Sequence, residues 1–200
     1  MEDGMKTLVL STLLAVALVA TPARAGDWKL DKAHTTVTFI AKHLGVSKTK
    51  GQFKDYDATV EADKDGKLTS AVATIKIASL DTGVEQRDTH LKSADFFDAE
   101  KFPTLSFKST SITIEGGTAT IVGELTIKDK TERVTLKGEF LGKSVIDFGQ
   151  GPSTHAGYSV KTQINRQKFG LAFNAMAEGT SVVSDLIDIE LEFEIARPGK

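Results

Sequence analysis

The sequence predicts an all-β fold: an antiparallel β-barrel of about eight strands with a short helical insertion. Three observations lead there. Apolar residues recur with a period of two along most of the chain after Trp28, as in strands with one wet and one dry face. Asp65-Gly66, Gly116-Gly117 and Lys128-Asp129-Lys130 fall between consecutive runs, and such short links make neighbouring strands antiparallel. One segment, Ser79 to Pro103, loses the two-residue period.

The alternating runs cover 35–42, 51–62, 68–78, 104–115, 117–128, 131–141, 155–165 and 186–196. Val37, Phe39 and Ala41 share one face of the first. Ala58, Val60 and Ala62 share a face of the second, and Ala71, Ala73, Ile75 and Ile77 one of the third. The same alternation carries Ile121 to Ile127, Val134 to Phe140 and Ile187 to Ile195. Strands this long need their edges paired, and closing the sheet into a barrel does that; a two-layer sandwich is the alternative. In the aperiodic segment, Thr82 and Glu85 have the spacing of a capping box, so a short helix is expected to start there. Val84 and Leu91 would share its face, Ser93 or Asp95 would cap a second turn, and Pro103 would end it. The insertion is expected to pack across one barrel end. Gly142 to Thr154 and Asn174 to Ser184 read as long loops.

Leu8 to Ala20 is an apolar stretch of leader length, and Ala23-Arg24-Ala25 follows as a small-x-small cleavage pattern. This predicts a cleavable signal peptide at 1–25, a single domain at 26–200, and a periplasmic protein with no stable membrane insertion. Glu2 and Asp3 are unusual in a leader, and a start at Met5 would give the conventional Met5-Lys6-Thr7. With 200 residues, 26% charged residues and a net charge of −2, the chain has no basic field for nucleic acid. The absence of cysteine removes disulfides, thiolate ligands and a catalytic thiol. No nucleophile elbow, H-E-x-x-H, P-loop or dinucleotide fingerprint occurs, so no catalytic residues and no cofactor are expected. His34, His43, His90 and His155 lack the i, i+2 or i, i+4 spacing of local metal ligands, and structural roles are favoured over a metal.

Phenylalanine dominates the aromatic residues, 11 against two Tyr and one Trp. Phe39, Phe53, Phe107, Phe140 and Phe193 fall on or beside the apolar faces of different strands, together with Ala41, Ala58, Ala62, Ala71, Ala73 and Gly123. An eight-stranded barrel is either filled by its side chains or holds one ligand. The mixture of large and small residues favours a cavity over a solid core.

Four segments resemble the YceI-like family. They are His34-Thr35-Thr36-Val37-Thr38-Phe39 with Lys42 to Ser47 and Gly51-Gln52-Phe53; Arg87-Asp88-Thr89-His90-Leu91 with Asp95-Phe96-Phe97-Asp98, Pro103 and Phe107-Lys108-Ser109; Gly123 to Ile127 with Val134-Thr135-Leu136 and Phe140-Leu141-Gly142; and Ala156-Gly157-Tyr158 with Ile164-Asn165-Arg166 and Phe169-Gly170-Leu171. Thr35 stands where the family usually has Ser, and Asp129 where a turn Gly is common. The resemblance implies a lipocalin-like barrel that binds a polyisoprenoid lipid or a quinone-type ligand. Related barrels dimerise, so a homodimer is among the states it implies, although the sequence carries no interface signature.

The candidate ligand-binding residues are Phe39, Phe53, Ala73, Phe107, Phe140, Phe193, Arg87 and Arg166. Two roles are open to the arginines. Arg87 or Arg166 clamps the insertion through carboxylates such as Asp88 or Asp95, or one of them meets a pyrophosphate or quinone headgroup; the clamp is favoured. The leading functional reading is a periplasmic carrier of an isoprenoid or other long-chain lipid. The alternatives are a hydrolase or isomerase acting on a lipid, and a stress-response protein with an incidental ligand.

Overall fold

The computed structural model describes residues 28–147 and 149–199; the leader assigned to 1–25 lies outside these residues. The main strands are β1 (Lys29–His43), β2 (Ser47–Phe53), β3 (Tyr56–Ala62), β4 (Leu68–Lys76), the two-residue β5 (Leu80–Asp81), β6 (Thr104–Glu115), β7 (Thr118–Ile127), β8 (Lys130–Asp147) and β9 (Pro152–Asn165). The short β10 (Met176–Ala177) and β11 (Thr180–Ser181) form a hairpin of their own, and β12 (Val183–Pro198) ends the fold. Among the described residues the one α-helix, α1 (Glu85–Lys92), lies in the aperiodic segment.

Ten strands make a single antiparallel sheet in the order β3-β4-β6-β7-β8-β9-β12-β1-β2-β5, curled into the barrel that the alternation predicts. Hairpin links fix the register. Gly116 and Gly117, at φ 57° and 86°, close the β6–β7 turn in the left-handed conformation that a two-residue hairpin demands. Lys128, at φ 56°, does the same between β7 and β8.

The described backbone ladders leave one line open, between β1 and β3. Tyr56 Oη donates to the Thr35 carbonyl across it at 2.6 Å, and Lys32 Nζ meets Asp57 Oδ1 at 2.5 Å. At one end of the line Trp28 Nε1 donates to the Asp63 carbonyl at 3.1 Å; at the other the chain itself passes from β2 into β3.

Several expectations are corrected. The run 51–62 is two strands: β2 pairs with β1 (Val37↔Phe53) and β3 with β4 (Tyr56↔Ile75), on opposite margins of the sheet. Phe53 and Tyr56 are both buried, so the two-residue alternation slips across Lys54-Asp55. Gly142 to Thr154 is not a long loop, because β8 and β9 stay paired to Asp147↔Pro152 after a bulge between Phe140 and Gly142. This outer hairpin is mostly exposed, with Leu141 and Val145 on its surface, so hydropathy gives no alternation to detect. Within 174–184 the chain makes the β10–β11 hairpin, and β12 begins at Val183. The helix starts after Val84 without a side-chain cap, because the Thr82 hydroxyl is taken up by Asp88 and Arg87. Val84 is exposed while Leu91 lies against the core. Residues 93–102 form turns, with no second helix.

Two buried clusters pack the interior of the barrel toward its two ends. One gathers at the end occupied by Trp28, Leu68 and Tyr158, the other beneath the helical insertion around Phe53, Ile77, Phe96 and Phe169.

Candidate ligand cavity

Between the two clusters the barrel is hollow. The cavity measures about 240 Å³, and its exposed wall is apolar. Period-two alternation puts Val37, Phe39 and Ala41 of β1 on this wall, and the same rule supplies Ala58 and Val60 from β3 and Ala71, Ala73 and Ile75 from β4. Thr35, Thr36 and Asp57 border the cavity where β1 faces β3.

The small residues divide into two kinds. Ala41, Ala58, Ala71 and Ala73 leave open volume. Gly123 does not: a β-carbon there would fall 2.4 Å from the Phe107 ring, which occupies the space. Gly51 is likewise covered by the ring of Phe39, 2.2 Å from where its β-carbon would be. Glycine at these two positions thus leaves room for the rings of Phe39 and Phe107, both of which line the cavity. Ala62 is packed into the closed end.

Beneath the floor, where Phe193 lines the cavity, lies Tyr158. Its hydroxyl donates to the Gly66 carbonyl at 2.5 Å and accepts from the Leu68 N–H at 2.9 Å. Phe193 stacks on its ring at 4.9 Å, and Phe140 leans on it at 5.1 Å. Burial pushes the Tyr158 phenol up to about 12. Burial also raises Tyr56, against the opposing charge of Lys32.

The insertion makes the roof. Leu91, Phe96 and Phe97 reach the cavity from above. Phe97 sets its edge on Phe53 at 6.0 Å, and Phe53 packs against Phe39 at 5.6 Å. Phe96 and Phe173 lie 4.8 Å apart, and the His90 ring stands edge-on to both, at 5.1 and 5.0 Å. Lys128, from the β7–β8 turn, donates to the Phe96 carbonyl at 3.2 Å and so ties roof to wall.

Six of the eight candidate residues line the cavity: Phe39, Phe53, Ala73, Phe107, Phe193 and Arg166. Phe140 and Arg87 do not. β8 presents Val134 and Leu136 to the cavity, then Gly138, where a β-carbon would meet the Ser159 carbonyl of β9 at 2.0 Å. Phe140, two residues further, has passed the floor and packs beside Tyr158. Arg87 donates from Nε to the Thr82 hydroxyl at 2.7 Å and from Nη2 to the Thr82 carbonyl at 3.0 Å. Its link to Asp88 is indirect, because Thr82 donates in turn to Asp88 at 2.5 Å.

Arg166 is 2% exposed, and its donors are engaged by the protein. They reach the carbonyls of Leu171, Val183 and Ser184, and Asp185 Oδ1 at 2.9 Å. Burial lowers its pKa, and Asp185 opposes that shift. The carboxylate partner is therefore Asp185, in place of the expected Asp88 or Asp95, and the segment Arg166 clamps is 171–185. Sequence reasoning missed Leu91, Phe96 and Phe97 as wall residues; two adjacent phenylalanines in an otherwise polar insertion were the available signal.

A space with an apolar wall of this kind suits an apolar guest, and the fold and site together define a cavity-bearing antiparallel β-barrel. No helix among the described residues is long and apolar enough to cross a membrane. The chain belongs to the YceI-like domain family, which matches it over residues 28–195. A UPF0312 protein of Photorhabdus laumondii is 36% identical over 185 residues, covering 91% of this chain and 94% of its own. The crystal structure of a Campylobacter jejuni YceI protein superposes with a TM-score of 0.65 at 32% identity, covering 80% of this chain and 90% of that one. A domain from Saccharophagus degradans, described as polyisoprenoid binding and implicated in plant cell wall breakdown, superposes with a TM-score of 0.57 over 86% of this chain and 98% of its own. At 12% identity, that likeness is one of fold.

Proposed function

We propose that this protein is a periplasmic binding protein, not an enzyme, that holds the apolar tail of an isoprenoid or other long-chain lipid inside its barrel and carries or buffers it. The observation that carries this reading is the apolar cavity of about 240 Å³ between the Phe193 floor and the Phe96–Phe97 roof. Membership of the YceI-like family and the fold shared with a polyisoprenoid binding domain support it. Small-ligand pockets usually enclose about 300–1,000 Å³, so this cavity seats a segment of a long chain, with the remainder of the ligand outside it. Each methylene moved from water into the cavity contributes about 0.8 kcal/mol. Nothing in that term depends on the headgroup, so binding should tolerate either a polyprenyl phosphate or a quinone.

Native mass spectrometry of the purified protein, followed by organic extraction, tests the proposal. A bound mass that extracts as a long-chain or isoprenoid lipid is expected, and the same spectrum distinguishes monomer from homodimer. Protein that never yields a lipid, and takes none up from added polyprenyl phosphate or ubiquinone, would refute the reading. Export is tested separately: material from an osmotic-shock fraction should begin at Gly26, and an intact Met1 or Met5 there would refute the leader assignment.

A further inference from the structure

On the outside of the barrel, away from the cavity, four side chains from three adjacent strands meet. Asp31 of β1 stands directly opposite Glu194 of β12 in the ladder, so two carboxylates lie side by side on one face. β9, the next strand, brings His155 to Glu194, and the imidazole Nδ1 bonds the carboxylate. His34 arrives by a local device. The β1–β12 register shifts between Asp31 and Thr36, and in the resulting bulge Asp31 accepts from the Ala33 N–H at 2.9 Å while Thr35 donates to the Asp31 carbonyl at 2.6 Å. This sets His34 Nδ1 2.9 Å from Asp31 Oδ2. The donor atoms of Asp31, His34 and Glu194 all fall within 4.8 Å of one another.

Like charges directly opposite in a ladder repel. Elsewhere on this barrel carboxylates are met by lysines, as Asp57 is by Lys32 and Asp55 by Lys76. Among the described ion pairs, Asp31 and Glu194 have only the imidazoles of His34 and His155. A divalent cation would neutralise both carboxylates at once. An imidazole in the donor set favours a borderline transition ion over Mg²⁺ or Ca²⁺, which take oxygen ligands. His34 is well exposed, its side chain at 67%, so an ion would have a path from solvent and the ring room to turn toward it. His155 is held at both nitrogens, by Glu194 and by the Ser153 hydroxyl at 2.8 Å, which suits it to orient the Glu194 carboxylate.

We propose that Asp31, His34 and Glu194, with His155 positioning Glu194, form a surface binding site for a divalent transition-metal ion of the Zn²⁺ type. The test is calorimetric titration of ZnCl₂ into untagged, chelator-stripped protein, alongside CaCl₂ and MgCl₂. Saturable binding of one Zn²⁺ per chain is expected, with Ca²⁺ and Mg²⁺ at least about tenfold weaker. His34→Ala and Glu194→Gln should each weaken Zn²⁺ binding about 10–100-fold or more, while His43→Ala, at the far end of β1, leaves it unchanged. Circular dichroism checks that each variant folds; if Glu194→Gln does not, exposed His34→Ala still decides. A Zn²⁺-dependent rise in Tm should appear in the parent protein and vanish in His34→Ala. Absence of saturable Zn²⁺ binding, or binding that survives His34→Ala or is lost in His43→Ala, overturns the proposal.

Discussion

Ala73→Trp separates a hollow barrel from a filled one by the sign of its effect on stability. Ala73 lies on β4 between Ala58 of β3 and Phe107 of β6, and its side chain borders the cavity. A buried aromatic side chain removes about 150–250 Å² from water, so an indole in place of the methyl adds roughly 100 Å² of apolar burial at least, or about 2.5 kcal/mol at 25 cal/mol/Å². In a core without space the same change costs about 1–3 kcal/mol through forced rotamers and backbone shifts. The delipidated variant should therefore resist urea as well as the parent protein or better. It should also lose its ligand: an indole that displaces about five carbons of tail removes about 4 kcal/mol, or about 10³-fold in affinity. Urea titrations followed by circular dichroism give the first quantity, and displacement of a fluorescent polyprenyl analogue gives the second. A variant destabilised by more than about 2 kcal/mol, with no lipid extractable from the parent protein, would refute the hollow-barrel reasoning.

Three further outcomes follow from the floor and the roof. Tyr158→Phe strips the buried Leu68 N–H and the Gly66 carbonyl of their partner and should cost about 2 kcal/mol; a loss under about 0.5 kcal/mol in urea unfolding would show that the floor does not depend on this hydroxyl. Because the folded protein holds the Tyr158 phenol near 12, above the usual 10 or so of an unfolded chain, its contribution is complete below pH 10 and declines as pH rises toward 12. Alkaline unfolding should sharpen across that window in the parent and flatten in Tyr158→Phe, followed by phenolate absorbance and circular dichroism. Arg87→Ala removes two bonds to Thr82 within the insertion, so hydrogen exchange should accelerate across 79–103 and leave the barrel strands protected; an unchanged insertion would refute the clamp.

The barrel was legible in the sequence because each of its long strands buries one face and wets the other, and that is a local pattern. Its margins were harder to see. The split of 51–62 was written as a change of parity between Phe53 and Tyr56, but Lys54-Asp55 carries no Gly or Pro to mark it. The outer part of the β8–β9 hairpin leaves the core behind, so nothing in its hydropathy distinguishes strand from loop. Phe39, Phe107 and Phe193 were recoverable as wall residues from face alone. Phe140 shares that face, yet whether a residue lies above or below the floor depends on where Tyr158 crosses the barrel, a tertiary fact. The roof residues Phe96 and Phe97 come from a segment without a period. The meeting of His34 and His155 at Glu194 needs three strands far apart in sequence, a spacing no local motif encodes.

The open line between β1 and β3 gives the wall a direction of easiest motion. Every other pair of long neighbouring strands is stitched by a backbone ladder, so separating them means breaking many bonds in concert. Between Trp28 and the β2–β3 link, β3 can draw away from β1 by giving up the Tyr56–Thr35 bond, worth about 0.5–1.5 kcal/mol, and one solvent-exposed ion pair. Parting here would also expose the buried Tyr56 and Val60 of β3, but it would break no ladder, so among the long strands this line is the least costly place for the wall to yield. On the proposed carrier function, this line is where a chain too long for the interior would trail, with the floor and roof left in place.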